Sequence, residues 1–279
     1  LEFRRVLFRS ELALSVYDVL LASATVAECR VKTPWAESGQ ATYDVLGANR
    51  ELAGAEIELV GLDQRELRLR HALQAVNQDY DFVLIDCPPS LSLLTLNGLC
   101  AAHGVLVPMQ CEYFALEGLS DLVNSIKQVH ANLNRDLKII GLLRVMFDPR
   151  ITLQQQVSDQ LKEHFGDKVF NAVIPRNVRL AEAPSHGKPA MYYDKYSAGA
   201  KAYLALAGEM LRREDPVQRR GLQGHHHLTG AGLRQRDVLP ADHLGAAVTV
   251  KAQGLHRISS AELIAWMRPA KKPGPALAA

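Results

Sequence analysis

The chain has 279 residues, 48% of them hydrophobic, with a formal net charge of +2. That is enough apolar material for one α/β domain of roughly 200 residues with a tail, and no apolar run nears the roughly 18 residues that cross a bilayer. From Arg219 onward nine Lys/Arg stand against three acids, a net +6, which leaves −4 for residues 1–218 and excludes a globally basic nucleic-acid binder there.

Residues 1–10, LEFRRVLFRS, carry three arginines but neither the long apolar core nor the cleavage site of a secretory signal. From about Tyr43 to Leu211 the chain alternates between two periods. YDVLGAN reads as a short strand, with Asn49 as N-cap of a helix over 50–59, and residues 65–77 read as a second helix. DFVLID (81–86) is a strand, SLLTLNGLCAA (92–102) a helix and GVLVPMQ (104–110) a strand. Over 115–131, Leu116, Leu119, Val123, Ile126 and Val129 form one helical stripe. LKIIGLLRVMF (137–147) is a strand. Leu153, Val157, Leu161 and Phe165 then space a helix by fours over 152–165. KVFNAVIP (168–175) is a strand and 197–213 a last helix. Strands apolar on both faces, separated by amphipathic helices, predict a doubly wound, mostly parallel sheet flanked by helices. Ligands bind such sheets beyond the carboxyl ends of the strands. Domain boundaries are expected at 1–10 (unmatched), 11–213 (the α/β domain) and 214–279. That last stretch is Gly-, His- and Arg-rich and reads as a disordered or frame-shifted tail. Within it, SSAELIAWM suggests one or two amphipathic helical turns capped by Ser260. Cys29, Cys87, Cys100 and Cys111 occur without a CxxC pair and read as free buried thiols of a reducing cytosol.

Chemistry begins at Asp86. A buried strand fixes a carboxylate at its end, and a hard cation bridging phosphates needs an acid that cannot move. Pro88 and Pro89 stop the strand, and Ser90 or Ser92 then caps the next helix. DCPPS also bears a faint similarity to the Asp/Asn-Pro-Pro-aromatic turn of adenine and amide methyltransferases. Here a Cys intervenes, Ser90 replaces the aromatic, and no glycine-rich turn precedes it.

YDFVLIDCPPSLSLLTLNGL, GVLVPMQCEYFALEGLSDL, LLRVMFDPRITLQQQVSDQL and HFGDKVFNAVIPRNVRLAEAPSHGKPAMYYDKYSAGAKAYLALA resemble consecutive blocks of the ParA/Soj chromosome- and plasmid-partitioning ATPases. The resemblance spans roughly residues 15–213. It implies a deviant Walker A P-loop fold, ATP and Mg²⁺ as cofactors, and an ATP-dependent homodimer that binds DNA without sequence preference. It also implies hydrolysis stimulated by a ParB-like partner, at the nucleoid in a bacterial cytoplasm. Carried over, Asp86 is the Walker B acid that orders the Mg²⁺ shell, through water. The backbone of Cys87, Pro88 and Pro89 lies near the γ-phosphate and dimer interface. Pro175, Arg176 and Asn177, with Met146 and Asp148, surround the adenine, and Glu112 faces the partner subunit or its nucleotide. Arg176, Arg179, Lys188, Lys195 and Lys201 are the DNA candidates, although each lysine suits an ordinary solvated surface equally well. Against Glu182 and Asp194 this segment is +3. For the two arginines, adenine and DNA phosphate both stay open as targets.

One part of the family site is not in the sequence. A P-loop needs GxxxxGK[ST], and the only Gly-Lys pair is Gly187–Lys188, followed by Pro189 and with Glu182 in the first glycine's place. The family's DxDPQG-like second strand is also absent. The expectation is a chain without its N-terminal P-loop βαβ unit and inactive as written, whose neighbouring apolar strands would be exposed by the loss. Two alternatives are a non-catalytic DNA-binding or dimerising remnant and a MinD-like positioning ATPase on a membrane. The latter needs an amphipathic C-terminal helix, for which AELIAWMRPAKK is short and broken by Pro269. His225–His227 are a weak metal candidate, since three consecutive histidines cannot all face one ion on regular structure.

Overall fold

The computed structural model describes residues 12–32, 43–88, 90–214, 247–251 and 263–267. Ser15 and Thr25 open two short helices, α1 (Val16–Leu21) and α2 (Val26–Cys29), through capping boxes closed by Asp18 and Glu28. These helices are too short to show a period in the sequence. Strand β1 (Arg30–Lys32) pairs antiparallel with β2 (Tyr43–Leu46). There follow α3 (Leu52–Leu59), α4 (Arg68–Gln74), β3 (Phe82–Cys87), α5 (Leu93–Ala101), β4 (Gly104–Gln110), α6 (Tyr113–Asn132) and β5 (Lys138–Phe147). The chain continues with α7 (Thr152–Phe165), β6 (Val169–Pro175), α8 (Val178–Glu182), α9 (Ala190–Tyr193), α10 (Ala198–Glu214), β7 (Ala247–Lys251) and β8 (Leu263–Met267). Every helix and strand expected between 43 and 213 is present within a few residues of its expected limits.

The sheet order is β1-β2-β7-β3-β8-β4-β5-β6. Strands β4, β5 and β6 pair in parallel, as do β2, β7 and β3. The alternation of side chains divides the core into two layers. Val83, Ile85, Val105, Val107 and Leu142 face the helices α1 to α7, whereas Leu106, Ile140, Leu143, Phe170 and Ile174 face Leu206 and Met210 of α10. All four cysteines are buried and free.

Two details differ from the sequence reading. Asn49 does not serve as N-cap of α3. Its Oδ1 accepts from the Glu51 N–H at 3.2 Å, an Asx turn just ahead of the helix, and the N-cap is Glu51. On α7 the expected stripe is buried at Val157 and Leu161 and packed at Phe165, but Leu153 is 47% exposed, and Gln154 and Ser158 join the buried face.

The tail also contributes strands. β7 lies parallel between β2 and β3, and β8 lies antiparallel between β3 and β4. Leu263–Met267 therefore extend as a strand instead of forming helical turns. Among the described residues β3 and β4 do not pair with each other, so their inward-facing backbone groups supply the partners that draw in a short apolar run. The apolar strands expected to be exposed are covered along this stretch. The rest of 214–279, with His225–His227, lies outside the described residues, as do 1–10.

The edge strand β6 is closed by α10. Glu209 accepts from the Asn171 and Ala172 N–H groups at 2.9 and 2.8 Å, and Arg213 donates to Val169 O and to Glu209, both within 2.9 Å. Burial raises the Glu209 pKa, but the Ala172 and Asn171 N–H bonds and Arg213 outweigh it, and the carboxyl stays below its ordinary value. A depressed folded pKa gives stability that is full above the unfolded pKa and lost as pH falls through the folded one. Glu209→Ala is expected to cost about 3 kcal/mol or more, because it strands Arg213 and two amides. Urea unfolding at neutral pH reads this as a lowered midpoint, and the gap from wild type should close in strong acid.

Candidate functional site

Since β8 runs antiparallel to both β3 and β4, β3 is parallel to β4, β5 and β6, and all four end at the same edge of the sheet. Gln110 stands opposite Val145, and Phe147 opposite Pro175. That register carries Asp86, Glu112, Asp148 and Arg176 to one edge, as the sequence reading required.

Asp86 is the penultimate residue of β3, half-buried, opposite Ile264 of β8 and Lys251 of β7 in the ladder. Cys87 turns inward. A Cβ placed on Gly98 of α5 would come within 2.6 Å of its Sγ, so α5 sits on β3 as closely as a glycine permits. Only the backbone of Cys87 is thus available at the edge. Pro88 follows as coil, and Pro89 lies outside the described residues. Ser92, not Ser90, caps α5, accepting from the Thr95 N–H at 3.4 Å, while Ser90 O accepts from the Thr95 hydroxyl at 2.7 Å.

The β5 and β6 ends form the other half. Met146 has a φ of 51°, in the left-handed region that a methionine adopts only under constraint, and the pairing of β5 with β6 slips here. The reversal brings Asp148 to the loop, where Gln154 Oε1 accepts from its N–H at 2.7 Å. The Asp148 carboxylate accepts from Arg150 Nε, Nη2 and N–H at 2.9, 2.7 and 3.0 Å. These bonds, with Arg176 nearby, hold its pKa down at about 2. Pro175 lies beside Phe147 in the ladder. The Arg176 N–H donates to Phe147 O, and its side chain is exposed. Asn177 is the N-cap of α8, its Oδ1 accepting from the Leu180 N–H at 3.3 Å, so this amide supports the loop first. Glu112, the N-cap of α6, makes no capping bond with its side chain and stands exposed.

The five basic candidates do not behave alike. Arg179 is tied to Glu182 at 2.9 Å and Asp194 at 3.6 Å, with the Tyr193 hydroxyl on the same Glu182, which braces α8 against α9. Lys188, Lys195 and Lys201 are exposed on the same segment, and Lys195 Nζ lies 5.2 Å from the centre of the Tyr196 ring.

The chemistry of the donors near Asp86 decides what it can hold. The recess next to it is lined mostly by apolar side chains, among them Val16, Leu20, Leu52, Ile85 and Leu94, and the amide of Asn97 that also lines it is bonded to the Leu69 N–H, Arg65 O and Leu93 O. Among the described residues no cluster of three or more His, Cys, Asp or Glu is placed to hold a metal ion. The described residues therefore fit one carboxylate toward a cation and do not supply the donors of a triphosphate site.

A mostly parallel sheet with helices on both faces and charged residues gathered at its carboxyl edge defines a P-loop NTPase-like α/β protein. The AAA domain family profile matches residues 4–139. The chain is 53% identical over 195 residues to the sporulation initiation inhibitor protein Soj of Bacillus subtilis, covering 70% of this chain and 75% of Soj. It is 49% identical over 208 residues to the chromosome partitioning protein ParA of Caulobacter vibrioides, covering 74% and 76%. Among solved structures, cobyrinic acid a,c-diamide synthase from Mycobacterium smegmatis matches with a TM-score of 0.61 and 35% identity, over 74% of this chain and 75% of that one. The same enzyme has been solved with ADP and magnesium. The chain belongs to the ParA/Soj family of chromosome-partitioning ATPases.

Asp148 offers a direct check on the edge geometry. In a carboxyl-resolved NMR titration it should turn over near pH 2, whereas Arg150→Ala should return it toward the ordinary Asp value of about 3.9. The sign follows from a depressed folded pKa. The interaction is full above the unfolded pKa and disappears as pH falls through about 2.

Proposed function

We propose that this protein acts in DNA partitioning as a ParA-type, nucleoid-associated component. On this reading it forms a homodimer through the carboxyl edge of its sheet, binds DNA without sequence preference through residues 176–201, and answers to a ParB-like partner. The observation that carries the DNA part is the braced basic segment. Arg179 braces the segment through Glu182 and Asp194, and Arg176, Lys188, Lys195 and Lys201 stand exposed along it. Dimerisation draws support from Tyr113, Ile151 and Val178, large apolar side chains left exposed at the same edge where Glu112 stands.

The nucleotide step is another matter. The 279 residues contain no GxxxxGK[ST] run, and the recess beside Asp86 is apolar. We read Asp86 as the cation-side acid of the family site, Cys87, Pro88 and Pro89 as its backbone neighbours, and Met146, Asp148, Pro175, Arg176 and Asn177 as the surroundings of the base. We infer no ATP turnover by these 279 residues alone. The same features favour a non-catalytic DNA-binding remnant as the second reading. A membrane role has less support: Leu263–Met267 form a strand, and no described helix is long and apolar enough to cross a bilayer.

Fluorescence anisotropy with a random duplex tests the DNA surface. Affinity should fall linearly in log salt with a slope of about −0.9 per phosphate contact. The triple variant Lys188→Ala, Lys195→Ala, Lys201→Ala should flatten that slope by about 2 to 3 and weaken binding equally across sequences. A slope unchanged from wild type would refute the assignment. ATP and Mg²⁺ should leave wild-type binding as it was.

A further inference from the structure

At the amino edge of the sheet, opposite the end where Asp86 stands, a cavity of about 130 Å³ opens between α4, the C-terminal end of α5 and the loop that leads into β5. Ala101, Ala102 and Asn134 are buried at its base, while His103 and Asp136 stand exposed at its mouth. Asn134 fixes this shape. Its Nδ2 donates to Leu99 O and Ala102 O at 2.9 and 2.7 Å, and its Oδ1 accepts from the Asp136 N–H at 3.3 Å. The loop before β5 is thereby tied to the end of α5, and a ligand meets the cavity already formed.

The groups around it are unevenly satisfied. Arg70, half-buried on α4, makes no hydrogen bond or ion pair with any described residue. It reaches inward all the same: burial and Glu66 push the Cys100 thiol up to about 11, and Arg70 works against both. The Asp136 carboxylate, on another wall, likewise has no partner among the described residues. Asn77 Oδ1 is buried there with no donor to accept from. A buried acceptor left unmet is costly. One wall therefore asks for an anion and another for a donor. The end of α5 adds its partial negative charge to the second demand.

Size narrows the occupant further. The volume is close to the roughly 150 Å³ that accommodates benzene, which limits a ligand to about six or seven heavy atoms. We propose that this cavity binds a small zwitterion, a free α-amino acid, with its carboxylate on Arg70 and its ammonium toward Asp136 and Asn77 Oδ1. A plain anion would face Asp136 and leave Asn77 unmet, and a plain amine would face Arg70, so either half alone is disfavoured. The site lies at the other edge of the sheet from Asp86 and goes beyond the partitioning reading, so its failure would leave that reading standing.

L-Serine is the probe, with ethanolamine, propionate and inorganic phosphate as partial mimics, each titrated calorimetrically into the full chain. Serine should bind with a Kd of about 1 mM or below, and each mimic at least about tenfold more weakly. Arg70→Gln keeps a good helix former on α4 and removes the cation. It should weaken serine at least about tenfold and leave the ligand-free thermal midpoint where it was. Asp136→Asn, on an exposed loop, should do the same, and it decides the question should Arg70→Gln fail to fold. Asp86→Ala should bind serine as the wild type does. No saturable serine binding up to about 20 mM, a mimic that binds as tightly as serine, serine binding retained in both variants, or binding lost in Asp86→Ala would each overturn the proposal.

Discussion

The parallel register of β4, β5 and β6 is what the candidate site hangs from. Because Gln110 meets Val145 and Phe147 meets Pro175, three loops leave the sheet at one level, and β3 ends alongside them. Arg144 helps fix that register from inside. Its guanidinium is buried, donating to the Ser158 hydroxyl at 2.9 Å and to Phe170 O of β6 at 2.9 Å, while burial pulls its pKa down. One charged side chain thus ties β5, β6 and α7 together beneath Met146 and Asp148. Holding a cation in the core is costly unless its donors are met. Here Nε lacks a partner among the described residues.

Much of this was legible in the sequence, for physical reasons. Strands buried on both faces must be apolar throughout, so DFVLID, GVLVPMQ and LKIIGLLRVMF announce themselves, and an acid at the end of such a run has only the sheet edge to occupy. Spacing fails where polar groups are buried for a purpose. The stripe on α7 holds at Val157, Leu161 and Phe165 but misses at Leu153, where Gln154 and Ser158 turn inward to serve Asp148 and Arg144. Arg179 is a DNA candidate by sequence, and the fold adds an ion pair to Asp194 that the sequence does not announce. The strands β7 and β8 were not legible either, since neither has a periodicity long enough to stand out and both depend on the openings beside β3.

On the proposed reading, Asp86 and the β5 and β6 loops would be the two ends of one site. The strand delivers the carboxylate, and the β5 and β6 loops converge at the same edge. Among the described residues, the recess beside Asp86 on the α1 and α5 side is lined mostly by aliphatic side chains, without the run of amides and the lysine that a triphosphate requires. The segment at 176–201 does not share that dependence, since none of its residues lines the recess beside Asp86.

Isothermal titration of the 279-residue chain with ATP and Mg²⁺, alongside Asp86→Ala, bears most directly on this half-site. The account predicts no saturable heat in either protein up to about millimolar ATP, a ceiling of roughly −4 kcal/mol in binding free energy. Micromolar, magnesium-dependent binding that disappears in Asp86→Ala would contradict it, for it would mean that the phosphates find a seat this fold does not display.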